Sequence, residues 1–229
     1  MSDVLWIASF DIGYRNLCFS IEEVSCDALR CIQPIPKDKR YNVDGTPTKA
    51  QQSVLERVYT NAKTVFFKNT DLTNKAMKTL DPEVFHLLTD LLDKYVSYWD
   101  NCSYIVIEKQ MSFRGVYNVS ALKLGQHCYS YFALRYGRFK QVIEFPAYHK
   151  TQVLGAPKVR KKTKKISYKA MDKPTRKKWA IDEALSILGA RNDFETMSQL
   201  ESARKKDDIA DCILQSVSAA YLIFVEKVY

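Results

Sequence analysis

The stretch Ile7-Ala8-Ser9-Phe10-Asp11-Ile12-Gly13-Tyr14-Arg15-Asn16 decides how the rest of the chain is read. It continues the apolar run that opens at Val4 and reads as a buried strand, and Asp11 interrupts it. A buried carboxylate without a partner is costly. Two solutions are open: Asp11 caps the turn that ends the strand, as Asp ahead of Gly commonly does, or a cation satisfies it. The choice depends on the other acids of the chain.

A second apolar run, Tyr104-Ile105-Val106-Ile107, stops at Glu108-Lys109-Gln110. Taken alone, Glu108 is a strand end meeting water. If its strand lies parallel to the first, both acids stand at the carboxyl edge of one sheet, where open α/β sheets place their sites. The third element is Lys205-Lys206-Asp207-Asp208-Ile209-Ala210-Asp211-Cys212-Ile213-Leu214-Gln215. As a helix it sets Asp208 and Asp211 on one face, continued by Gln215 and Ser218, beside an apolar flank of Ile209, Ile213, Val217, Ala220 and Phe224. Asp207 suits the N-terminal turn, where a carboxylate complements the helix dipole. Capping does not explain Asp211, one turn further in.

Four acids in a partly buried pocket repel one another and raise their own pKa values unless hard cations sit between them. Mg²⁺ and Mn²⁺ prefer oxygen ligands and bridge to phosphate. An all-carboxylate set of Asp11, Glu108, Asp208 and Asp211 in a basic protein therefore suits two-metal phosphodiester hydrolysis. With three histidines no Ser/His/Asp arrangement is convincing, and a GxxxxGK[ST] phosphate loop is absent.

Charge points to the same substrate class. The net charge is +9 over 229 residues, yet residues 146 to 178 hold twelve cations against the single anion Asp172, leaving the remainder slightly acidic. Such a block repels itself unless a polyanion neutralises it, and Tyr148, Tyr168 and Trp179 are interleaved as stacking or packing groups. Lys158, Arg160, Lys161, Lys162, Lys164 and Lys165 are its expected DNA contacts. The six cysteines are scattered with no zinc-like spacing and read as reduced core residues. No uninterrupted apolar run approaches the roughly 20 residues of a membrane span, and Met1 leads straight into the first strand, so an intracellular protein without signal or transit peptide is expected.

The coarse pattern gives strands at 4–12, 17–24 and 27–33, then a helix from TKAQQSVLERVYTNAKTVFF and another from DPEVFHLLTDLLDKYVSYW. A strand follows at 103–108, then a helix at about 116–136 and a strand at 139–145. Helices near 175–188 and 206–225 complete the order. This predicts an α/β fold: a mixed five-stranded sheet, three strands antiparallel and the later ones parallel to the first, with helices on both faces.

With these acids in place the chain resembles the RuvC-type Holliday junction resolvases of the ribonuclease H-like superfamily, and within them the poxvirus and large DNA virus branch. The matching pieces are FDIGYRN, IEKQMSFRG and KKDDIAD, in the family's order and on the expected elements. The resemblance implies metal-binding acids at Asp11, Glu108, Asp208 and Asp211, with Mg²⁺ or Mn²⁺, two per site. It implies a catalytic-site lysine at Lys177 or Lys178, DNA contacts from Arg15, Phe113 and Arg114, and a homodimer that cuts branched DNA by paired nicks. It further implies a viral protein acting at cytoplasmic sites of DNA replication, with no small-molecule cofactor and no membrane. The chain is expected to form one ribonuclease H-like domain over 1–229, with an insertion at about 34–80 and the basic segment at about 146–178. Other readings are a nuclease for flaps or RNA–DNA hybrids, a non-catalytic nucleic-acid binder, and an actin-type ATPase, for which seven glycines are too few.

Overall fold

Alternation along the first strand sorts its side chains into two cores. The computed structural model describes residues 3–73, 80–110, 118–161 and 167–229. Strand β1 (Val4–Asp11) sends Ile7 to one apolar cluster and Ala8 and Phe10 to the other. By the same parity Ser9 and Asp11 share the face of Ile7. Strand β2 (Leu17–Ser25) returns antiparallel, setting Cys18 opposite Asp11, and β3 (Ala62–Thr70) pairs antiparallel with β2. On the other side β4 (Cys102–Lys109) runs parallel to β1, and β5 (Gln141–Pro146) parallel to β4. The order is β3-β2-β1-β4-β5, the mixed five-stranded sheet expected.

Helices cover both faces. On the Ile7 face lie α1 (Cys26–Arg30) and α2 (Lys49–Thr60); on the Phe10 face lie α3 (Glu83–Lys94), α4 (Val96–Asn101) and α5 (Val119–Tyr136). The Ile7 face is completed by α6 (Tyr148–Val153), α7 (Lys173–Arg191), α8 (Phe194–Ser202) and α9 (Lys206–Ala220), which continues as a π-helical turn over Tyr221–Val225. Between α6 and α7 a short hairpin projects, β6 (Val159–Arg160) against β7 (Tyr168–Lys169). The Phe10 core is aromatic: Trp99 is fully buried, with ring centres 5.3 Å from Phe10, 5.1 Å from Phe19 and 5.7 Å from Phe132. Its indole N–H donates to the Leu92 carbonyl at 2.7 Å, so the ring enters the core without an orphaned donor.

The helix read over DPEVFHLLTDLLDKYVSYW breaks at Tyr95 into α3 and α4, and Cys31 is exposed where a core cysteine was expected. Two expectations about the strands also need correction. Residues 27–33 are not the third strand: Cys26–Arg30 forms a helical turn, with Asp27 at its start and Arg30 at its end. The third strand is β3, which the sequence reading assigned to a helix. That helix stops at Asn61, and the β-branched and aromatic residues Thr64-Val65-Phe66-Phe67 pair with β2 instead. The strand thus falls inside the stretch read as an insertion.

The helix Lys206–Val225 is long and apolar enough to cross a membrane, with a mean hydropathy of 1.5, although Asp211, Gln215 and the serines break it as an apolar run. From Ile209 to Val225 every residue except Asp211 is buried within the fold, so this is the central core helix.

Candidate active site

Register places the first two acids. Phe10 pairs with Ile107 in the parallel β1–β4 ladder, so Asp11 and Glu108 are the next residues on adjacent strands, roughly 4.8 Å apart in the pairing direction. Both face α9, since Val106 and Tyr104 pack in the Ile7 core while Ile105 and Ile107 pack in the other. Helix α9 is pinned across the same strands by Gln215, whose amide N–H groups donate to the Phe10 carbonyl at 3.1 Å and the Val106 carbonyl at 3.2 Å. Ser216 adds a hydroxyl contact to Ser20 at 3.2 Å. One turn before Gln215, Asp211 therefore meets the carboxyl edge of the sheet, and Asp208 lies one turn further out.

Among the described residues no hydrogen bond to the carboxylate of half-buried Asp11 is seen, so the acid does not cap the turn at Gly13. Gly13 has its own reason: a Cβ there would lie 3.1 Å from the Asn16 carbonyl oxygen. Burial first, then the neighbouring Glu108, Asp211 and Asp208, hold Asp11 well above the usual carboxylate range, with Lys150 pulling the other way. Burial likewise raises Asp211 against the opposing charge of Lys150. Burial and the adjacent Asp207 raise Asp208, whose Oδ2 is buried without a hydrogen-bond partner.

Lys150 was counted in the sequence only as one cation of the basic segment. Its ammonium, on a side chain 6 % exposed, lies 2.9 Å from Glu108 Oε2 and 3.3 Å from Asp211 Oδ1. Burial would lower its pKa, but Glu108, Asp211 and Asp11 outweigh that and hold it above the ordinary lysine value. The signal available in sequence was its place, four residues beyond the end of β5, beside the strand that carries Glu108. A lysine can be tolerated at that depth only against ionised carboxylates.

Four carboxylates against one buried ammonium remain short of positive charge. Among the described residues no three Asp, Glu, His or Cys side chains converge closely enough to hold a metal ion as they stand, because Lys150 stands between Glu108 and Asp211. The donor set nevertheless fits a hard divalent cation. It is all oxygen, one oxygen is orphaned, and a single cationic group already bridges acids from β4 and α9.

The other expected residues lie around this centre. Lys177 pairs with Asp207 at the start of α9, whereas Lys178, next on α7, is exposed. Arg15 is exposed on the loop after β1, its guanidinium 5.8 Å from the Tyr14 ring centre. Lys158, Arg160 and Lys161 are exposed on the hairpin. Phe113, Arg114, Lys162, Lys164 and Lys165 lie outside the described residues. A cavity of about 580 Å³ between the end of β3 and α3, walled by Asp71, Asp81, Glu83 and Asp90, touches none of the four acids.

No family model matches the chain. It is 33 % identical over 239 aligned positions to "Uncharacterized protein 170L" of Invertebrate iridescent virus 6, covering 97 % of this chain and 92 % of that protein. Among solved structures it is similar to the Fowlpox virus resolvase in complex with substrate Holliday junction DNA, at TM-score 0.51 and 15 % identity over 96 % of this chain and 99 % of that one. It is similar also to T. thermophilus RuvC in complex with a Holliday junction substrate, at TM-score 0.51 and 11 % identity over 96 % and 95 %. These likenesses establish that the chain shares the fold of those two solved structures, as the resemblance in sequence implied.

Proposed function

The chain belongs to the same family as protein 170L of Invertebrate iridescent virus 6, and from that premise we propose that it is a divalent-metal-dependent endonuclease that resolves four-way DNA junctions by paired, symmetric nicks. One observation carries the reading: Asp11, at the carboxyl edge of the central strand, faces Glu108, Asp208 and Asp211, with Lys150 buried among them and Lys177 and Lys205 acting on Asp208 from the rim. Acids with raised pKa values grouped at the carboxyl edge of a sheet are characteristic of a site that takes cationic ligands and phosphate.

Asp11, Glu108, Asp208 and Asp211 would hold Mg²⁺ or Mn²⁺, two ions per site. When bound, these ions supply an activated water and stabilisation of the leaving 3′ oxygen. Lys150 holds Glu108 and Asp211 together, keeping acids from a strand and a helix in one place. Lys177, tethered to Asp207, brings a second ammonium to the rim, and Arg15 with the hairpin cations Lys158, Arg160 and Lys161 offers contacts to the phosphate backbone. With a viral relative, the protein acts in an infected cell, at cytoplasmic sites of viral DNA replication.

The test is incubation with a labelled four-way junction and a matched linear duplex, with and without Mg²⁺, beside Asp208→Asn. Paired nicks are expected on the junction alone, dependent on metal and absent in the variant, which still binds. Equal cutting of linear duplex would remove the resolvase reading, and binding without product in the native protein would leave a nucleic-acid binder.

A further inference from the structure

We propose that residues 40–48 are a brace that sets the orientation of the basic hairpin, so that its cations meet a branched DNA in one geometry. This rests on the DNA-cutting reading above and assigns a role to a loop that contributes nothing to the acid cluster. The loop is rigid by construction. Tyr41 bridges Pro47, and the Asn42 N–H donates to the Thr46 carbonyl at 2.8 Å. Asp44 Oδ1 accepts from both the amide and the hydroxyl of Thr46, at 3.0 and 2.7 Å.

The loop is rooted at one end and interlocked at the other. Arg40 pairs with Glu226 at 2.6 Å, both side chains largely buried, and its Nε donates to the Ile35 carbonyl. Glu226 also accepts from the Tyr221 hydroxyl, so the root is the end of the core helix. Toward the hairpin, the Tyr41 hydroxyl donates to the Val153 carbonyl at 2.7 Å, and the Lys158 N–H donates to the Asp44 carbonyl at 2.6 Å. Two glycines close the joint, both in the left-handed region. A Cβ at Gly45 would lie 3.1 Å from the Ala156 carbonyl oxygen, and one at Gly155 would lie 2.6 Å from Pro47 Cδ.

The chain connectivity gives this joint its consequence. The hairpin strands lie between Lys150, which touches Glu108 and Asp211, and Lys177, which touches Asp207. Lys158, Arg160, Lys161 and Lys169 are exposed on or beside them. A hairpin with two paired positions does not hold its own direction in water. A flexible basic tail would suffice for attraction to phosphate, since that attraction is non-directional. Fixing the cations in advance instead removes an ordering cost on binding and favours the DNA shape that matches them.

Gly45→Val and the milder Tyr41→Phe are measured for binding to a four-way junction and to linear duplex in EDTA, so that nothing is cut. The same substitutions are repeated in a chain with Lys158, Arg160, Lys161, Lys162, Lys164, Lys165 and Lys169 all changed to Ala. Folding is followed by thermal melting, and Tyr41→Phe, which removes the hydroxyl that donates to the Val153 carbonyl, carries the test if Gly45→Val does not fold. Gly45→Val is expected to weaken junction binding about tenfold and duplex binding less than about twofold, and to have little effect once the cations are gone. Unchanged junction preference in the folded variants, or an equal loss in the neutralised background, overturns the brace. Lack of junction preference in the native protein would instead strike the resolvase reading itself.

Discussion

Glu22 and Asp11 lie on paired strands next to the same core, and the fold treats them in opposite ways. Glu22 is 1 % exposed and receives both arms of Arg191, at 3.0 and 3.1 Å, the bidentate pairing that makes a buried acid tolerable. Asp11 has no such partner and shares Lys150 with two other carboxylates, Glu108 and Asp211. The second arrangement costs stability, and the cost can be measured. Asp208 has its pKa raised by burial and by Asp207, so the folded state binds more protons than the unfolded one between the ordinary carboxylate value and the raised one. Its charge therefore opposes folding above that window and has no effect below it. Asp208→Asn is expected to stabilise the metal-free protein by about 1 kcal/mol at pH 7, with the gain vanishing in acid. Adding Mg²⁺ should reverse the order by stabilising the native protein more than the variant, as differential melting would show. A variant less stable than the native protein without metal would mean that Asp208 has an unseen partner.

Helix α9 was legible in sequence from its 3.6-residue period, and strands β1 and β4 from continuous apolar runs that each stop at an acid. The third strand was not, because Ala62–Thr70 follows a helix with no Gly or Pro between, and only Asn61 marks the change. Lys150 was hidden for another reason: a lysine in a basic segment looks like its neighbours until a strand register brings Glu108 beside it. The hairpin was legible as charge but not as structure, since two-residue strands have no readable period. Its charge supports a separate measurement. If Lys158, Arg160, Lys161 and Lys169 meet phosphates, changing all four to Ala should reduce the slope of log binding constant against log salt by about 3 to 4, following the release of one counterion per contact. The brace variants should lower the slope less. An unchanged slope would show that the hairpin points away from the DNA.

A four-way junction presents two equivalent strands to be cut, whereas the described residues of the chain form one candidate active site, around Asp11. Symmetric nicks therefore require two copies related by a two-fold axis, and the contact must leave both clusters open to the DNA. The Phe10 face supplies a surface for it. Helix α5 buries Leu124, Cys128 and Phe132 against the sheet, while its outer stripe exposes Val119 (55 %), Leu122 (43 %) and Leu134 (87 %). These residues lie across the sheet from α9, so pairing through them would not obstruct the acids. Lys123, Gln126 and Ser130 share this outer face, giving the mixed apolar and polar surface usual for a non-obligate contact. The protein is expected to sediment as a dimer at micromolar concentration, and Leu122→Glu with Leu134→Glu to give a folded monomer. Because both leucines are exposed in the monomer, the variant should still fold, with a melting midpoint that drops by the lost dimer linkage and no longer depends on protein concentration. The monomer should still bind metal through its own four acids, yet cut a junction on one strand at a time. Kinetics on a supercoiled cruciform plasmid distinguish the two, since single nicks relax the cruciform before the second cut, whereas paired nicks give linear product directly. Linear product from a chain that sediments as a monomer would rule out α5 as the pairing surface.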